Sequence, residues 1–455
     1  MSVPHGVHPS RVDALLDKEI TRFEQIRPRS RELADRGRSS MPRGVPLHWM
    51  ANWPTPYPIY LSRAEGARLT DVDGHSYVDF CLGDTGAMFG HANPVVADAV
   101  REQVLVGSTT MLPTEDAVYV GDELARRFGL PFWQLATSAT DANRFAIRIA
   151  RVMTGRDKVL VFNGKYHGSV DETQVTIQDG RMVPQPGVAP NAIDWNRTTK
   201  VVEFNDIDAL ERALAERDVA CVLAEPVMTN VGVVPAEPGY HDALRELTRR
   251  TGTLLIIDET HTISTGPGGY TRAYGLDPDL FVLGKSIAGG IPAAVYGMTA
   301  EVAEAFERYT AKDDYRISHA GFGGTLVGNA LTLRAIRSTV EHVMTEDAYD
   351  HMSSLAERFD RGVVDVISRR GLPWHVTRLG ARVEYLFSPR APRNGGEAKQ
   401  LRSPRLEAAI HLHLLNRGVL LTPFHNMALM CPATSESDVD EHSAVFAECV
   451  AELVS

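Results

Sequence analysis

Three short stretches carry side chains able to do chemistry. The first runs Leu280-Phe281-Val282-Leu283-Gly284-Lys285-Ser286-Ile287-Ala288-Gly289-Gly290-Ile291-Pro292, with one lysine between an apolar strand and a glycine-rich turn. Such a setting desolvates an amine, and the neutral amine is the nucleophile that Schiff-base chemistry requires. Standing alone, the same lysine reads more simply as one that snorkels out at a strand end. The second stretch, Ile256-Ile257-Asp258-Glu259, closes a buried apolar strand, where an α/β sheet presents its ligand-binding residues. A carboxylate there suits a metal ion, a structural ion pair, or a pyridinium nitrogen that an adjacent anion keeps protonated. The third, Ala136-Thr137-Ser138-Ala139-Thr140-Asp141-Ala142, opens a helix with Ala142, Phe145, Ala146, Ile149, Ala150 and Met153 on one face. Its unpaired backbone N–H groups, its dipole and the Ser138 and Thr140 hydroxyls make a phosphate site, although a simple N-cap is the plainer account of this stretch by itself.

Further motifs lie between and beyond these: Tyr166-His167-Gly168, Ala224-Glu225-Pro226, Gly266-Pro267-Gly268-Gly269-Tyr270, Tyr274 to Leu280, and Gly324-Thr325-Leu326-Val327-Gly328-Asn329. In order and spacing the set resembles the class III, fold type I pyridoxal-phosphate enzymes over most of the chain. The resemblance implies pyridoxal 5'-phosphate as cofactor, with Lys285 bonding its C4' carbon and Asp258 its pyridine nitrogen. It implies Ser138, Ala139 and Thr140 at the phosphate, an aromatic ring of the Tyr166-His167 motif stacked on the cofactor, and Glu225 and Thr260 completing the binding set. Thr325 is then expected to reach the phosphate held by a neighbouring subunit, which makes the enzyme a homodimer. The activity implied is an aminotransferase, moving an amino group from an amine or amino acid to a keto acid or aldehyde through a Lys285 Schiff base. The alternative is an aminomutase or racemase of the same family, since the same residues serve both. A catalytically silent subunit is the reading from another class, and the retention of Asp258 and Lys285 gives it no support.

Within the group, Gly324-Thr325-Leu326 and the segment from Gly86 to Pro94, ending Gly90-His91-Ala92-Asn93-Pro94, are similar to glutamate-1-semialdehyde aminomutases and the related β-amino-acid aminotransferases. The chain departs from the family in places. Ala139 replaces a glycine of the phosphate motif but keeps its backbone N–H, and Thr260 stands where relatives usually have valine, so its hydroxyl needs a partner if buried. Leu47 and Phe424 stand near positions where β-amino-acid relatives place carboxylate-binding arginines, whose planar fork other side chains replace poorly. The expected substrate is therefore a weakly acidic, neutral or cationic amine, in a pocket shaped by Asp84, Trp49, His48 or His425.

These residues need elements to position them. Short apolar runs at Lys158 to Phe162, Val219 to Ala224, Thr253 to Ile257 and Leu280 to Leu283 alternate with helical patterns such as Ile207 to Arg217 and His241 to Arg250, which predicts strand–helix–strand units and a buried, mostly parallel sheet. Before them come a helix capped at Ser10 and a hairpin turning at Asp73-Gly74. After them come a strand at Arg382 to Phe387, a polar loop at Ala391 to Ser403, a helix at Arg405 to Arg417 and a last helix at about Ser437 to Val454. The fold class is α/β: by resemblance, a fold type I large domain with a mostly parallel seven-stranded sheet and a smaller α+β domain built from both chain ends. Residues 1–94 are expected as an N-terminal segment, 95–340 as the large cofactor-binding domain and 341–455 as the small domain.

Composition agrees with that architecture. With 455 residues, 44% hydrophobic and 23% charged, the chain has the profile of a globular protein with a large core. A net charge of −11 without a basic run argues against nucleic acid and for small-molecule partners. The opening residues lack an apolar core segment and no later stretch is apolar for long enough to span a bilayer, so a cytoplasmic location without membrane contact is expected. The four cysteines are widely spaced, which suggests neither a zinc site nor a disulfide framework.

Overall fold

The computed structural model describes residues 4–189, 192–310 and 321–454. The chain divides into two compact units. One comprises residues 94–346 and 392–400, the other residues 1–93, 347–391 and 401–455. The expected lobe at 341–455 is thus interrupted: residues 392–400 pack with the first unit. Gly395 shows why, because a Cβ there would fall 1.9 Å from the Asn163 carbonyl oxygen.

The first unit is built on seven strands: β1 (Phe132–Ala136), β2 (Lys158–Phe162), β3 (Thr199–Val202), β4 (Val219–Ala224), β5 (Leu254–Asp258), β6 (Leu280–Leu283) and β7 (Ala294–Met298). Their order across the sheet is β1-β7-β6-β5-β4-β2-β3. Neighbours are parallel throughout the run from β6 to β3, with Asp258 beside Val282 and Leu254 beside Cys221, whereas β7 runs antiparallel to both β6 and β1. All six residues of β4 and all four of β6 are buried, as a sheet covered on both faces demands. Helix α1 (Ala139–Thr154) turns Ala142, Phe145, Ala146, Ile149 and Ala150 into one side of this core. Helices α2 (Ile207–Leu214) and α3 (Tyr240–Thr251) supply Leu210, Leu214, Leu244 and Leu247 to the other.

The second unit carries a four-stranded and a three-stranded sheet. The hairpin turning at Asp73-Gly74 forms from Arg68–Asp71 and Ser76–Asp79, and Arg382–Leu386 is a central strand. The N-terminal helix, Pro9–Ile26, is capped by His8 rather than by Ser10; proline is preferred at the first helical position, which moves the cap one residue before it. Its buried Glu19 meets Asn416 and Arg417. All four cysteines are buried and free, and among the described residues no helix is long and apolar enough to cross a membrane.

Candidate active site

The carboxyl ends of the parallel strands converge on one edge of the sheet. Asp258 ends β5, Glu225 follows β4, and the Gly284-Lys285 turn follows β6. The antiparallel β7 separates β6 from β1, after which the chain enters α1. Ser138 is the N-cap of α1, its Oγ accepting from the Asp141 amide at 3.2 Å, and both its hydroxyl and that of Thr137 donate to the Asp141 carboxylate. The plain N-cap reading is therefore realised, and the amides of Ala139 and Thr140 begin the helix ahead of any i−4 carbonyl. Thr140 Oγ1 accepts from the Ser169 amide at 3.2 Å. Gly168 lies against this hydroxyl in the left-handed region at φ +78°, where a Cβ would come within 2.0 Å of it. The turn into Lys285 rests on the same helix start, since a Cβ on Gly284 would meet that of Ala139 at 2.8 Å.

Asp258 is almost fully buried and held from several sides. His167 Nδ1 lies 2.9 Å from Oδ2, Asn143 Nδ2 donates to Oδ2 at 2.9 Å, and the Thr260 amide donates to Oδ1 at 3.1 Å. Burial pushes this carboxyl up, but the bond and charge of His167, helped by Thr260 and Asn143, outweigh it and hold the acid at about 2. The other ends of its partners, His167 Nε2 and Asn143 Oδ1, are buried without a hydrogen bond among the described residues. The Thr260 hydroxyl finds its partner in the Gly284 amide, from which it accepts at 3.3 Å, and so ties the Asp258 strand end to the Lys285 turn.

Lys285 is half-buried and adopts φ 52°, an uncommon conformation for a residue with a side chain. Its Nζ lies 2.5 Å from His261 Nε2. His261 Nδ1 lies 2.7 Å from Thr229 Oγ1, and Thr229 Oγ1 donates to Glu225 Oε2 at 2.5 Å. Glu225 also receives the Thr229 amide and the Asn230 side chain. Tyr166 is 53% exposed and lines a cleft of about 510 Å³ together with Lys165, Thr176, Gln178, Asn230 and Lys399. Lys165 is buried there and donates to the Val175 carbonyl, while Lys399 donates to Thr176 and, at 3.1 Å, to Asn163. Burial, then the charge of Lys399, brings Lys165 down to about 7.

Of the residues singled out in the sequence, Ser138, Ala139, Thr140, His167, Glu225, Asp258, Thr260 and Lys285 gather at this edge, with Tyr166 beside them. Thr325 is exposed on a turn of the same unit. Leu47, His48, Trp49, Asp84, Phe424 and His425 all belong to the other unit, where Trp49 and Phe424 meet edge to face and His425 bonds Glu384. Sequence reasoning passed over Asn143, His261, Thr229, Lys165 and Lys399. A signal existed for two of them: Asn143 is a polar residue inside the apolar rhythm of α1, and His261 completes the run Asp258-Glu259-Thr260-His261.

Known proteins resemble this chain in sequence and fold. A crystal structure of a lysine-to-alanine variant of a glutamate-1-semialdehyde-aminomutase from Pseudomonas aeruginosa PAO1, in complex with PMP, is 58% identical and superposes with a TM-score of 0.97, covering 98% of this chain and 100% of that one. An omega-transaminase from Sphaerobacter thermophilus is 30% identical with a TM-score of 0.85, over 94% and 98% of the two chains. In sequence, a glutamate-1-semialdehyde 2,1-aminomutase from Methanosphaera stadtmanae is 33% identical over 91% of this chain and 96% of its own length. The model of the family described as Aminotransferase class-III matches residues 49–449, and the chain belongs to that pyridoxal-phosphate-dependent family.

Proposed function

We propose that this enzyme shifts an amino group within one small molecule, as an aminomutase, with Lys285 as the base and Schiff-base residue. The single observation that supports the chemistry is the convergence of Lys285 and an acid held near 2, Asp258, at one sheet edge through the shared Thr260–Gly284 link. The choice of mutase over aminotransferase rests on the likeness to proteins named glutamate-1-semialdehyde aminomutases. The residues fit pyridoxal phosphate. Asp258 stays ionised at neutral pH and keeps a facing ring nitrogen protonated. The start of α1 offers backbone N–H groups and a dipole to a phosphate, and the unpartnered ends of His167 and Asn143 give polar atoms to a polar ligand.

Pyridoxal phosphate, when bound, supplies an aldehyde that takes up an amine and a ring that draws electrons from the adjoining carbon. The chain supplies the rest. Lys285 Nζ takes the proton from the carbon bearing nitrogen and returns it at a neighbouring atom. Asp258 would offer its charge to the ring nitrogen, and His167 and Asn143 fix the orientation of that carboxylate. Ser138, Ala139 and Thr140 would hold the phosphate, and Tyr166, Glu225 and Thr260 would complete the binding set around the cofactor. Lys165 and Lys399 put two basic side chains on the cleft beside Tyr166, which favours a substrate bearing a carboxylate over the weakly acidic, neutral or cationic amine that Leu47 and Phe424 suggested. The assembly is a homodimer in which Thr325 extends toward the partner's phosphate.

The test is to incubate the pyridoxal form with glutamate-1-semialdehyde alone and follow the position of nitrogen by NMR. Isomerisation without an acceptor is the expected result. Product that forms only when a keto acid is added would replace the mutase with the intermolecular aminotransferase. Absence of a borohydride-stable adduct at Lys285 would overturn both.

A further inference from the structure

Through His261 and Thr229, neither of which is assigned to the cofactor, one buried chain of hydrogen bonds links the reacting amine to Glu225. It runs from Lys285 Nζ to His261 Nε2 at 2.5 Å, from His261 Nδ1 to Thr229 Oγ1 at 2.7 Å, and from Thr229 Oγ1 to Glu225 Oε2 at 2.5 Å. His261 is 5% exposed, Glu225 5% and Thr229 0%, so bulk water does not compete for these bonds. The directions are determined from the far end. A threonine hydroxyl has one hydrogen, and this one goes to Glu225, so its oxygen must accept from His261 Nδ1–H. That requires the tautomer whose Nε2 lone pair faces Lys285. Every donor in the chain therefore points from the lysine toward the glutamate.

We infer that His261, with Thr229 and Glu225, forms a relay that takes the surplus proton from Lys285 and so prepares its amine for attack and for base duty. The inference rests on Lys285 being the reacting lysine. The transfer balances: the Lys285 ammonium gives a proton to His261 Nε2, the His261 Nδ1 proton passes to Thr229 Oγ1, and the Thr229 hydroxyl proton passes to Glu225 Oε2. The end state is a neutral amine, an imidazole in the other tautomer, an unchanged threonine and a protonated carboxyl. Glu225 suits the last place because burial raises its affinity for a proton, although His167, Thr229 and Asn230 oppose that. Asp258, held ionised by His167, is a poor alternative acceptor. The titratable groups gathered around the relay are Lys285, Glu225, Asp258 and His167. His261 touches the lysine and is a positioning residue; Thr229 and Glu225 act through it.

The experiment mixes apoenzyme with pyridoxal phosphate and follows the absorbance of the attached cofactor by stopped flow, a reading independent of turnover. Three single variants are compared: His261→Gln, which keeps an acceptor for Lys285 but cannot take up its proton, His261→Phe, which removes both, and Thr229→Val, which keeps the volume but cuts the relay. The inference expects attachment at pH 7 to slow about tenfold or more in both His261 variants, the scale of a general acid–base contribution being 10²–10⁴, with Thr229→Val between them and wild type. A second reading uses substrate deuterated at the reacting carbon. Wild type loses the label to solvent through the relay, and His261→Gln retains more of it in product. Attachment at the wild-type rate in His261→Gln, with unchanged label retention, overturns the relay. If His261→Phe does not fold, His261→Gln and Thr229→Val still decide it. Borohydride adducts at Lys285 in wild type show that the failure lies in the relay and not in the lysine; their absence means that the underlying function is wrong.

Discussion

Asp258 carries the sharpest quantitative statement about a single residue. Its acid sits at about 2 when folded, below the ordinary carboxylate value, so the folded state binds fewer protons than the unfolded chain in the interval between. Its stabilising contribution is then complete above the ordinary value and is lost as pH falls through about 2, amounting to about 2 kcal/mol. Urea unfolding of wild type and Asp258→Asn at several pH values between 5 and about 2 checks this: wild type should lose more stability on acidification, by about that amount, and equal losses would show that Asp258 is not the group concerned. The same variant should bind pyridoxal phosphate yet turn over about 10²–10⁴-fold more slowly, because an amide cannot keep the ring nitrogen protonated. Lys165 has the opposite sign. Burial and Lys399 lower it to about 7, so between about 7 and the ordinary lysine value the unfolded chain holds a proton that the folded chain does not, and stability rises with pH across that window. Lys165→Met should remove the rise and raise the melting temperature at pH 7, with a gain of at most about 5 kcal/mol. If Lys165 also faces a substrate carboxylate, the same variant increases KM more than it lowers kcat.

At the scale of elements, the site depends on two turns pressed onto the start of α1. Gly168 approaches Thr140 and Gly284 approaches Ala139 more closely than any side chain allows, so the phosphate end and the lysine end of the site share one support. Gly168→Ala should therefore cost about 1–3 kcal/mol through its positive φ and its overlap with Thr140, and should weaken pyridoxal phosphate binding at the same time. Thermal unfolding and a cofactor titration read the two effects, and a loss of stability with unchanged affinity would separate Gly168 from the phosphate site. This coupling also explains what was legible beforehand. The runs that became β2, β4, β5 and β6 are continuous and apolar because both faces of the sheet are covered, so Asp258 and Lys285 stood out as the polar residues that end them. The runs at β1, β3 and β7 did not: Phe132 is 46% exposed, and Ala294-Val295-Tyr296-Gly297-Met298 is interrupted by a glycine that makes room for Trp133. The family resemblance supplied the count of seven strands that periodicity had not. His261 was hidden for another reason. Its meaning depends on Thr229, which only the adjacency of β4 and β5 brings beside it, and no local pattern announces a pairing made by the sheet.

For the molecule as a whole, the distribution of apolar surface argues for the homodimer. Large hydrophobic residues are strongly exposed along one short reach of the first unit: Leu105 81%, Val106 80%, Met111 80%, Leu112 72% and Val118 69%. Isolated exposed leucines are unremarkable, but five large apolar residues exposed within fourteen positions of sequence argue for a surface that is covered in use. Leu326, beside Thr325, is 60% exposed as well, so the turn expected to cross to a partner's phosphate has an apolar residue with which to seat itself. Placing a charge in that reach should separate the subunits without touching the strand ends that hold Lys285 and Asp258. Sedimentation should show a dimer for wild type and a monomer for Val106→Glu, or for the double variant Leu105→Glu with Met111→Lys. Pyridoxal phosphate affinity should fall along with dimerisation, and Thr325→Ala should lower that affinity without changing the state of association, by about 1.5–3 kcal/mol, the range for a hydrogen bond to a charged group. A charged monomer that bound cofactor as tightly as wild type would show each site to be complete within its own chain, and Thr325 would then have no part in it.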